Sequence, residues 1–220
     1  MPGETIGVIG GTGSGKSSLV NLIPRFYDRT DGTIRLFGIR VENLKKEAID
    51  ETVSIALQKA ALFSGTIRSN LLMGKKDATE EDMWRALTAA QGADFVRGKK
   101  DGLDAVVEQG GRNFSGGQRQ RLTVARALIA EPKILILDDS ASALDYATDA
   151  ALRRAIREMS GKMTVFIVSQ RANSVMQADK IIVLDEGRAV GMGTHEELLR
   201  TCEVYRDIYE SQFGKGAAAR

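Results

Sequence analysis

The sequence predicts an α/β protein with a mainly parallel sheet flanked by helices. Apolar runs of strand length alternate with helical patterns along the chain, as is typical of parallel strands joined by crossover helices. A glycine-rich loop separates the first strand run from the first helical pattern, which begins at Lys16. At 220 residues, with 43% hydrophobic and 27% charged residues, the chain has the size and composition of one globular domain.

The order of the patterns indicates how the domain is organised. The strand runs are TIGVI, TIRLF, VSIAL, KILIL, TVFIV and KIIVL. Asp-Gly and Glu-Gly turns mark TDGTIRLFGIRV and LDEGRAV as hairpin additions. Helical patterns replace strands between about residues 67 and 130, around TIRSNLLM, TEEDMWRALTAA and SGGQRQRLTVARALIA. We predict a single domain over 1–220, a nested helical subdomain at about 64–130 and a flexible tail at 214–220.

Composition disfavours several function classes. The net charge of only +2 is weak support for a nucleic-acid partner, and no apolar run approaches the roughly 20 residues of a membrane span. A lone cysteine, Cys202, excludes an internal disulfide. The only histidine, His195, begins a capped helix without partners at helical spacing, which favours a surface helix over a metal site. Met83 and Trp84 lie on an amphipathic helix and are expected to pack.

The glycine-rich loop predicts a nucleotide site. GGTGSGKSS, residues 10–18, fits G-x-x-x-x-G-K-[ST] between a strand and a helix. Its glycines let backbone N–H groups surround phosphate oxygens, Lys16 would reach the β- and γ-phosphates, and Ser17 would ligate Mg²⁺. The candidate ATP-binding residues are Gly10, Gly11, Thr12, Gly13, Ser14, Gly15, Lys16, Ser17 and Ser18.

A candidate metal anchor follows a second buried strand. Asp138 ends the aliphatic run of ILILDD, and Asp139 comes next. The carboxyl ends of parallel strands are where ligands bind in such sheets. Asp138 is therefore expected to hold Mg²⁺ near the phosphate loop.

NFSGGQRQRL, residues 113–122, provides a second helix start with small residues and free N–H groups. A chain that binds one nucleotide has no use for two such anion sites unless they face different molecules. Here the sequence resembles the nucleotide-binding domain of exporter-type ABC transporters, a P-loop NTPase-like fold. The motifs that carry this resemblance are the phosphate loop at Gly10–Ser17, the glutamine loop at Gln58, the signature at Phe114–Gln118, the Walker B strand at Ile134–Asp138, the D-loop at Ser142–Asp145 and the switch position Gln170.

The resemblance implies ATP and Mg²⁺ as ligands and two protein partners, a transmembrane domain and a second nucleotide-binding domain. It implies that Ser17, Gln58 and Asp138 hold the metal, and that Asp145 communicates across the dimer. The signature residues would bind the partner's ATP in trans; they are Ser115, Gly116, Gly117 and Gln118. LFSGTIRSNL, residues 62–71, looks like the segment that meets the transmembrane helices. The expected location is the cytoplasmic face of the plasma membrane.

Two departures from the family pattern concern the hydrolysis step, in which Lys16, Asp139 and Gln170 are the candidate catalytic residues. Asp139 stands where the family usually has glutamate, which retracts the carboxylate by roughly 1 to 1.5 Å; misplacement on that scale can cost about a hundredfold in rate. Gln170 stands where the family usually has histidine, and it can neither carry a positive charge nor exchange a proton near neutral pH. The signature is nearly intact, with Phe114 for leucine. We therefore predict a weak, partner-dependent ATP hydrolase, the degenerate-site subunit of a heterodimeric multidrug exporter.

Alternatives remain at this stage. Asp139 could be fully competent if a bridging water or a loop shift supplies the missing reach. The chain could instead be a regulatory nucleotide-binding module without turnover. A DNA-repair or chromosome ATPase fits less well, because those proteins usually separate phosphate loop and signature by long coiled coils. No aromatic residue precedes Gly10, so we expect an N-terminally truncated cassette that binds ATP weakly and with little preference for adenine.

Overall fold

The computed structural model describes residues 3–140, 143–159 and 163–214. Its strands are β1 (Thr5–Ile9), β2 (Arg35–Leu36), β3 (Ile39–Arg40), β4 (Val53–Ala56), β5 (Gly65–Thr66), β6 (Val106–Val107), β7 (Ile134–Asp138), β8 (Thr164–Ser169), β9 (Lys180–Asp185) and β10 (Arg188–Gly193). Its helices are α1 (Lys16–Asn21), α2 (Lys46–Asp50), α3 (Ile67–Leu72), α4 (Glu80–Ala89), α5 (Ala93–Arg97), α6 (Gly116–Leu128), α7 (Tyr146–Met159), α8 (Ala172–Val175), α9 (His195–Thr201) and α10 (Glu203–Phe213). Short 3-10 turns lie at Val41–Asn43, Gly102–Asp104 and Gln109–Gly111.

The central sheet has six strands in the order β10-β9-β1-β8-β7-β4. All neighbours are parallel except β9 and β10, which a turn at Glu186–Gly187 joins as a hairpin. Both turn residues have positive φ, 46° and 77°, as a two-residue hairpin loop requires. The predicted α/β class with a mainly parallel sheet is confirmed, and so is the hairpin at the Glu-Gly turn.

The hairpin predicted within TDGTIRLFGIRV is confirmed, but its strands are shorter than the run TIRLF. Only Arg35–Leu36 is extended there, and it pairs with Ile39–Arg40 in a separate two-stranded sheet. The turn of this hairpin is Phe37–Gly38, with φ of 52° and 83°, and not the Asp31–Gly32 pair. Gly38 lies directly beside the paired residues, closer than Gly32, and supplies the left-handed conformation of the turn. It therefore fixes the register of the hairpin.

The stretch between β4 and β7 is helical as expected, with α3, α4 and α6 on the three predicted patterns. The antiparallel pair β5–β6 was not predicted, because strands of two residues show no periodicity. Met83 is buried and Trp84 half-buried in a cluster that also includes Leu135 and Val165 of the sheet. The helical stretch therefore packs directly on one face of the sheet, and its status as a nested subdomain remains a prediction.

Another apolar cluster joins the C-terminal helices to the strand that leads into the phosphate loop. Val175 of α8 and the fully buried Tyr205 of α10 belong to it. A Cβ added at Gly7 of β1 would lie only 2.7 Å from Val175 Cβ, so α8 lies directly on the backbone of β1. His195 is half-buried, with Nδ1 2.8 Å from the Tyr205 hydroxyl oxygen, and burial lowers its pKa.

No helix in the described part of the chain is both long and apolar enough to cross a membrane. Most of the predicted tail, residues 215–220, lies outside the described residues.

Candidate functional site

The phosphate loop lies between β1 and α1, at the carboxyl edge of the sheet. Gly15 stands before the first residue of α1 with φ 91°, and no side chain caps this helix start. Gly10 lies so close to the backbone of β9 that an added Cβ would be 2.1 Å from the carbonyl oxygen of Leu184. The loop therefore needs glycine at position 15 because of the left-handed conformation, and at position 10 because there is no space for a side chain.

Lys16 is buried within its own loop. Its ammonium donates to the carbonyl oxygens of Gly10 and Gly11, at 2.9 and 2.6 Å, and lies 3.4 Å from Ser14 Oγ. Burial lowers the Lys16 pKa, while the carboxylates of Asp139 and Asp138 oppose that shift. A cation is thus held where phosphate oxygens would approach the loop.

Asp138 and Ser17 form the metal side of the site. Asp138 is the last residue of β7, whose five residues are all buried, and Ser17 Oγ donates to its Oδ1 at 3.1 Å. Burial raises the Asp138 pKa, the Ser17 hydrogen bond opposes this, and the neighbouring Asp139 adds to the rise. A hydroxyl and one carboxylate suit Mg²⁺, which proteins usually bind through one or two carboxylates together with substrate phosphates. Across the described ranges, no group of three or more His, Cys, Asp or Glu side chains could hold a metal ion.

Asp139 has a backbone conformation unlike that of its neighbour. Its φ is 45°, in the left-handed region that aspartate tolerates better than most side chains. Its N–H donates to the carbonyl oxygen of Val168 at 2.9 Å, and its Oδ2 accepts from Gln58 Nε2 at 3.1 Å. The turn away from strand geometry directs the second carboxylate into the same cavity as the first.

Gln170 follows the last residue of β8, across from the phosphate loop. Its Oε1 accepts a hydrogen bond of 3.1 Å from Thr12 Oγ1. The strand register explains the proximity, because Ile9 at the end of β1 is paired with Ser169. The switch position predicted from sequence is therefore beside the phosphate loop.

These groups surround one cavity of about 280 Å³. Its lining residues are Thr12, Gly13, Gly15, Lys16, Ser17, Ser18, Gln58, Asp138, Asp139, Val168 and Gln170. Of the nine predicted loop residues, Gly10, Gly11 and Ser14 do not line the cavity. Their oxygen atoms accept from the Lys16 ammonium instead. Val168 was missed by sequence reasoning, because its place opposite Asp138 depends on the pairing of β7 with β8, which no local pattern shows.

The signature residues lie at the start of α6. Ser115 precedes α6, its Oγ accepts from Gln118 N at 3.2 Å, and Gln118 Oε1 accepts from Ser115 N at 3.1 Å. Neither residue lines the phosphate-loop cavity, nor do the two glycines between them. Phe114 is buried beneath this helix start, edge-on to Phe95. In the described part of the chain, no signature residue therefore lines the phosphate-loop cavity, although Gln58 lines both that cavity and a second pocket that includes Gly116.

Asp145 caps the next helix. Its two carboxylate oxygens accept from the Thr148 N–H and hydroxyl at 2.9 and 2.7 Å, and these bonds lower its pKa. Ser142 of the predicted D-loop lies outside the described residues. Ala143 does contact the signature, since an added Cβ on Gly117 would lie 3.1 Å from its carbonyl oxygen.

The 62–71 segment is held by a buried amide. Asn70 accepts from the Phe63 N–H at 2.9 Å and donates to the carbonyl oxygens of Phe63 and Thr66 at 2.8 and 3.0 Å. Phe63 itself is exposed beside the Arg126 guanidinium. The segment is therefore ordered by its own contacts.

A parallel sheet with a glycine-rich phosphate loop, a buried carboxylate two strands away and a helical stretch carrying a second glycine-rich helix start defines the class of P-loop ATP-binding domains. The family model for the ABC transporter matches residues 1–142. The chain belongs to the ABC transporter family, as its ATP-binding domain.

Individual relatives agree with that assignment. An uncharacterized ABC transporter ATP-binding protein of Mycobacterium tuberculosis is 46% identical over 214 residues, 96% of this chain and 36% of the relative. An ATP-dependent lipid A-core flippase of Desulfotalea psychrophila is 37% identical over 96% of this chain and 37% of its own length. A β-(1→2)glucan export ATP-binding/permease protein of Rhodopseudomonas palustris is 38% identical over the whole chain.

Among solved structures, that of a bacterial Atm1-family ABC exporter with ATP bound superposes with a TM-score of 0.93 at 31% identity, covering 96% of this chain and 37% of that one. The chain thus spans slightly more than a third of the length of the relatives it matches.

Proposed function

We propose that the chain is the ATP-binding part of an exporter that pairs with a second cassette around ATP and Mg²⁺. The relatives named as a flippase and as an export protein support transport outward, and the separate position of the signature supports a role in the partner's site. In this arrangement Lys16 and the loop amides bind the phosphates, while Ser17 and Asp138 hold Mg²⁺. When bound, Mg²⁺ would neutralise charge on the phosphate oxygens. The 62–71 segment is the proposed contact with the transmembrane domain.

The chain's own site is proposed to hydrolyse ATP slowly. The observation that carries this proposal is that both departures from the family pattern, Asp139 and Gln170, line the same cavity as Lys16. The carboxylate of Asp139 is one methylene short of the usual reach, and its hydrogen bond to Gln58 ties it to the cavity wall. Gln170 can donate a hydrogen bond to a phosphate oxygen but provides no positive charge. Binding groups are retained and hydrolytic groups are weakened, which favours a heterodimer with one slow and one fast site.

The test restores both groups in the assembled transporter. With the partner's phosphate-loop lysine changed to alanine, Asp139→Glu combined with Gln170→His should raise ATP turnover at this site by about ten- to a hundredfold. The Lys16→Ala change added to that double variant is the control, and it should abolish the gain. The left-handed backbone at residue 139 suits glutamate less well than aspartate, so the thermal midpoint of the variant should fall slightly. Unchanged turnover would mean that Asp139 is already competent.

A regulatory module without turnover is the second candidate, and the same two residues favour it. Placing the lysine-to-alanine change in each cassette in turn separates the two. A motor subunit loses part of its turnover when Lys16 is changed. If the chain is a regulatory module, changing Lys16 leaves ATP turnover at the partner's site intact and abolishes only the nucleotide-dependent pairing of the two cassettes.

A further inference from the structure

The last helix of the described chain contacts the loop that carries Gln170. Gln212, near the end of α10, donates from Nε2 to the carbonyl oxygen of Gln170 at 2.8 Å and accepts at Oε1 from the Ala172 N–H at 2.8 Å. The two bonds hold the backbone on both sides of Arg171. We name residues 169–172 the switch loop.

Helix α10 is itself firmly placed. Tyr205 is fully buried, and Ile208 packs against the same apolar cluster, which also contains Ala172 of α8. Residues 205, 208 and 212 recur at helical spacing and therefore share one face of α10. The core contacts of Tyr205 and Ile208 therefore place α10, and the exposed Gln212 side chain reaches residues 170 and 172 from there.

The switch loop has further constraints that act together with Gln212. The Arg171 N–H donates to Ser169 Oγ at 3.0 Å, and the Gln170 side chain accepts from Thr12 of the phosphate loop. Beyond the loop, α8 lies directly on β1 at Gly7. Gln212 contacts the segment between Ser169 and α8 at two backbone groups, and one of these is the carbonyl group of Gln170 itself.

We propose that Gln212 is a positioning residue, which holds the switch loop so that the Gln170 side chain faces the phosphate loop. The inference rests on the proposed function of Gln170 at the nucleotide, and its action passes entirely through the backbone of residues 170 and 172. A hydrogen bond of this kind contributes a small net free energy, so its loss should loosen the loop without unfolding the domain.

The test compares Gln212→Ala with Ser211→Ala. Ser211 is the neighbouring exposed residue, and its hydroxyl bonds only within α10, to the Ile208 carbonyl oxygen. Hydrogen exchange of the segment 169–175 is measured on the full chain. We expect the Ala172 amide to exchange about fivefold faster in Gln212→Ala and to be unchanged in Ser211→Ala.

Turnover in the assembled transporter, with the partner's site silenced, provides the functional readout. Gln212→Ala should lower kcat about fivefold and leave KM for ATP within about twofold. Because Gln212 acts through Gln170, it should cause no further loss in a Gln170→Ala background. Unchanged exchange, unchanged kcat, or losses that multiply in the double variant would each overturn the inference. If the unmutated assembly shows no turnover, the proposed function fails, and the exchange experiment alone decides the role of Gln212.

Discussion

The two glycine-rich helix starts, those of α1 and α6, are built differently. At α1 the residue before the helix is Gly15, and no side chain caps the first turn. At α6 the residue before the helix is Ser115, and a reciprocal pair of hydrogen bonds with Gln118 occupies two backbone N–H groups. The first start leaves its donors for a ligand, whereas the second satisfies part of its own requirement.

The difference fits the two tasks proposed for these helix starts. A site that holds its own nucleotide gains from every free N–H group and from a nearby lysine. A surface that meets a nucleotide held elsewhere must keep its shape in isolation, and a capping box provides that. The capping partner at α6 is Gln118, whereas a carboxylate has the same task at α4, in Asp82, and at α9, in Glu197. Glutamine caps the helix without placing a negative charge where an anion is expected.

The largest expected effect is at the first start. Lys16→Ala removes the only side-chain cation of the phosphate-loop cavity among the described residues, so the affinity of the full chain for Mg²⁺-ATP should fall about a hundredfold. Titration calorimetry measures this. Lys45→Ala, at an exposed lysine before α2, is the matched control and should leave the affinity unchanged. Equal affinities in the two variants would show that the loop amides bind the nucleotide without Lys16. The lysine would then no longer distinguish the start of α1 from that of α6.

A smaller effect is expected at the second start. Gln118→Glu preserves the capping box, since glutamate accepts the same hydrogen bond from Ser115 N, but it adds a negative charge that would repel the partner's nucleotide. Turnover at the partner's site should fall about tenfold. The urea midpoint at pH 7 should remain within error of the unmodified chain.

Nucleotide binding by the isolated chain is the internal control for that variant. It should be unaffected in Gln118→Glu, because Gln118 does not line the phosphate-loop cavity. Weaker binding by the isolated chain would mean that the two surfaces communicate within one molecule.

The smallest effect concerns pH. The Glu197 pKa is held below its ordinary 4.5 by hydrogen bonds from Thr194. Its stabilisation is therefore present above about pH 4.5 and is lost as the pH falls through the lower folded value. Glu197→Gln keeps the acceptor but cannot titrate, so its urea midpoint should fall less between about pH 5 and 3 than that of the unmodified chain. Glu196→Gln, outside the box, should follow the unmodified chain.

The parts of the site with dense local signals could be predicted from the sequence. The phosphate loop fixes its own geometry over nine residues, and the aliphatic run before Asp138 places that carboxylate at the carboxyl edge of the sheet. The bonds between Thr12 and Gln170, and between Gln58 and Asp139, join residues 158 and 81 positions apart. They depend on strand order, which short-range patterns do not encode.

The errors in the fold have the same origin. TIRLF has strand composition, yet only Arg35 and Leu36 of this run are paired, because Phe37 and Gly38 form the turn directly after them. The positive φ of Asp139 also escaped prediction, since aspartate is only one of several residues that tolerate this conformation. Gln212 carried no motif at all; its importance arises from the packing of Tyr205 seven residues earlier.

The contact between Gly7 and Val175 sets a limit on how this nucleotide site can diversify. Any larger residue in the middle of the first strand would push the helix behind it, and with it the loop that carries residue 170. In mutational scanning, a larger residue at position 7 should therefore be tolerated only together with a smaller residue at position 175.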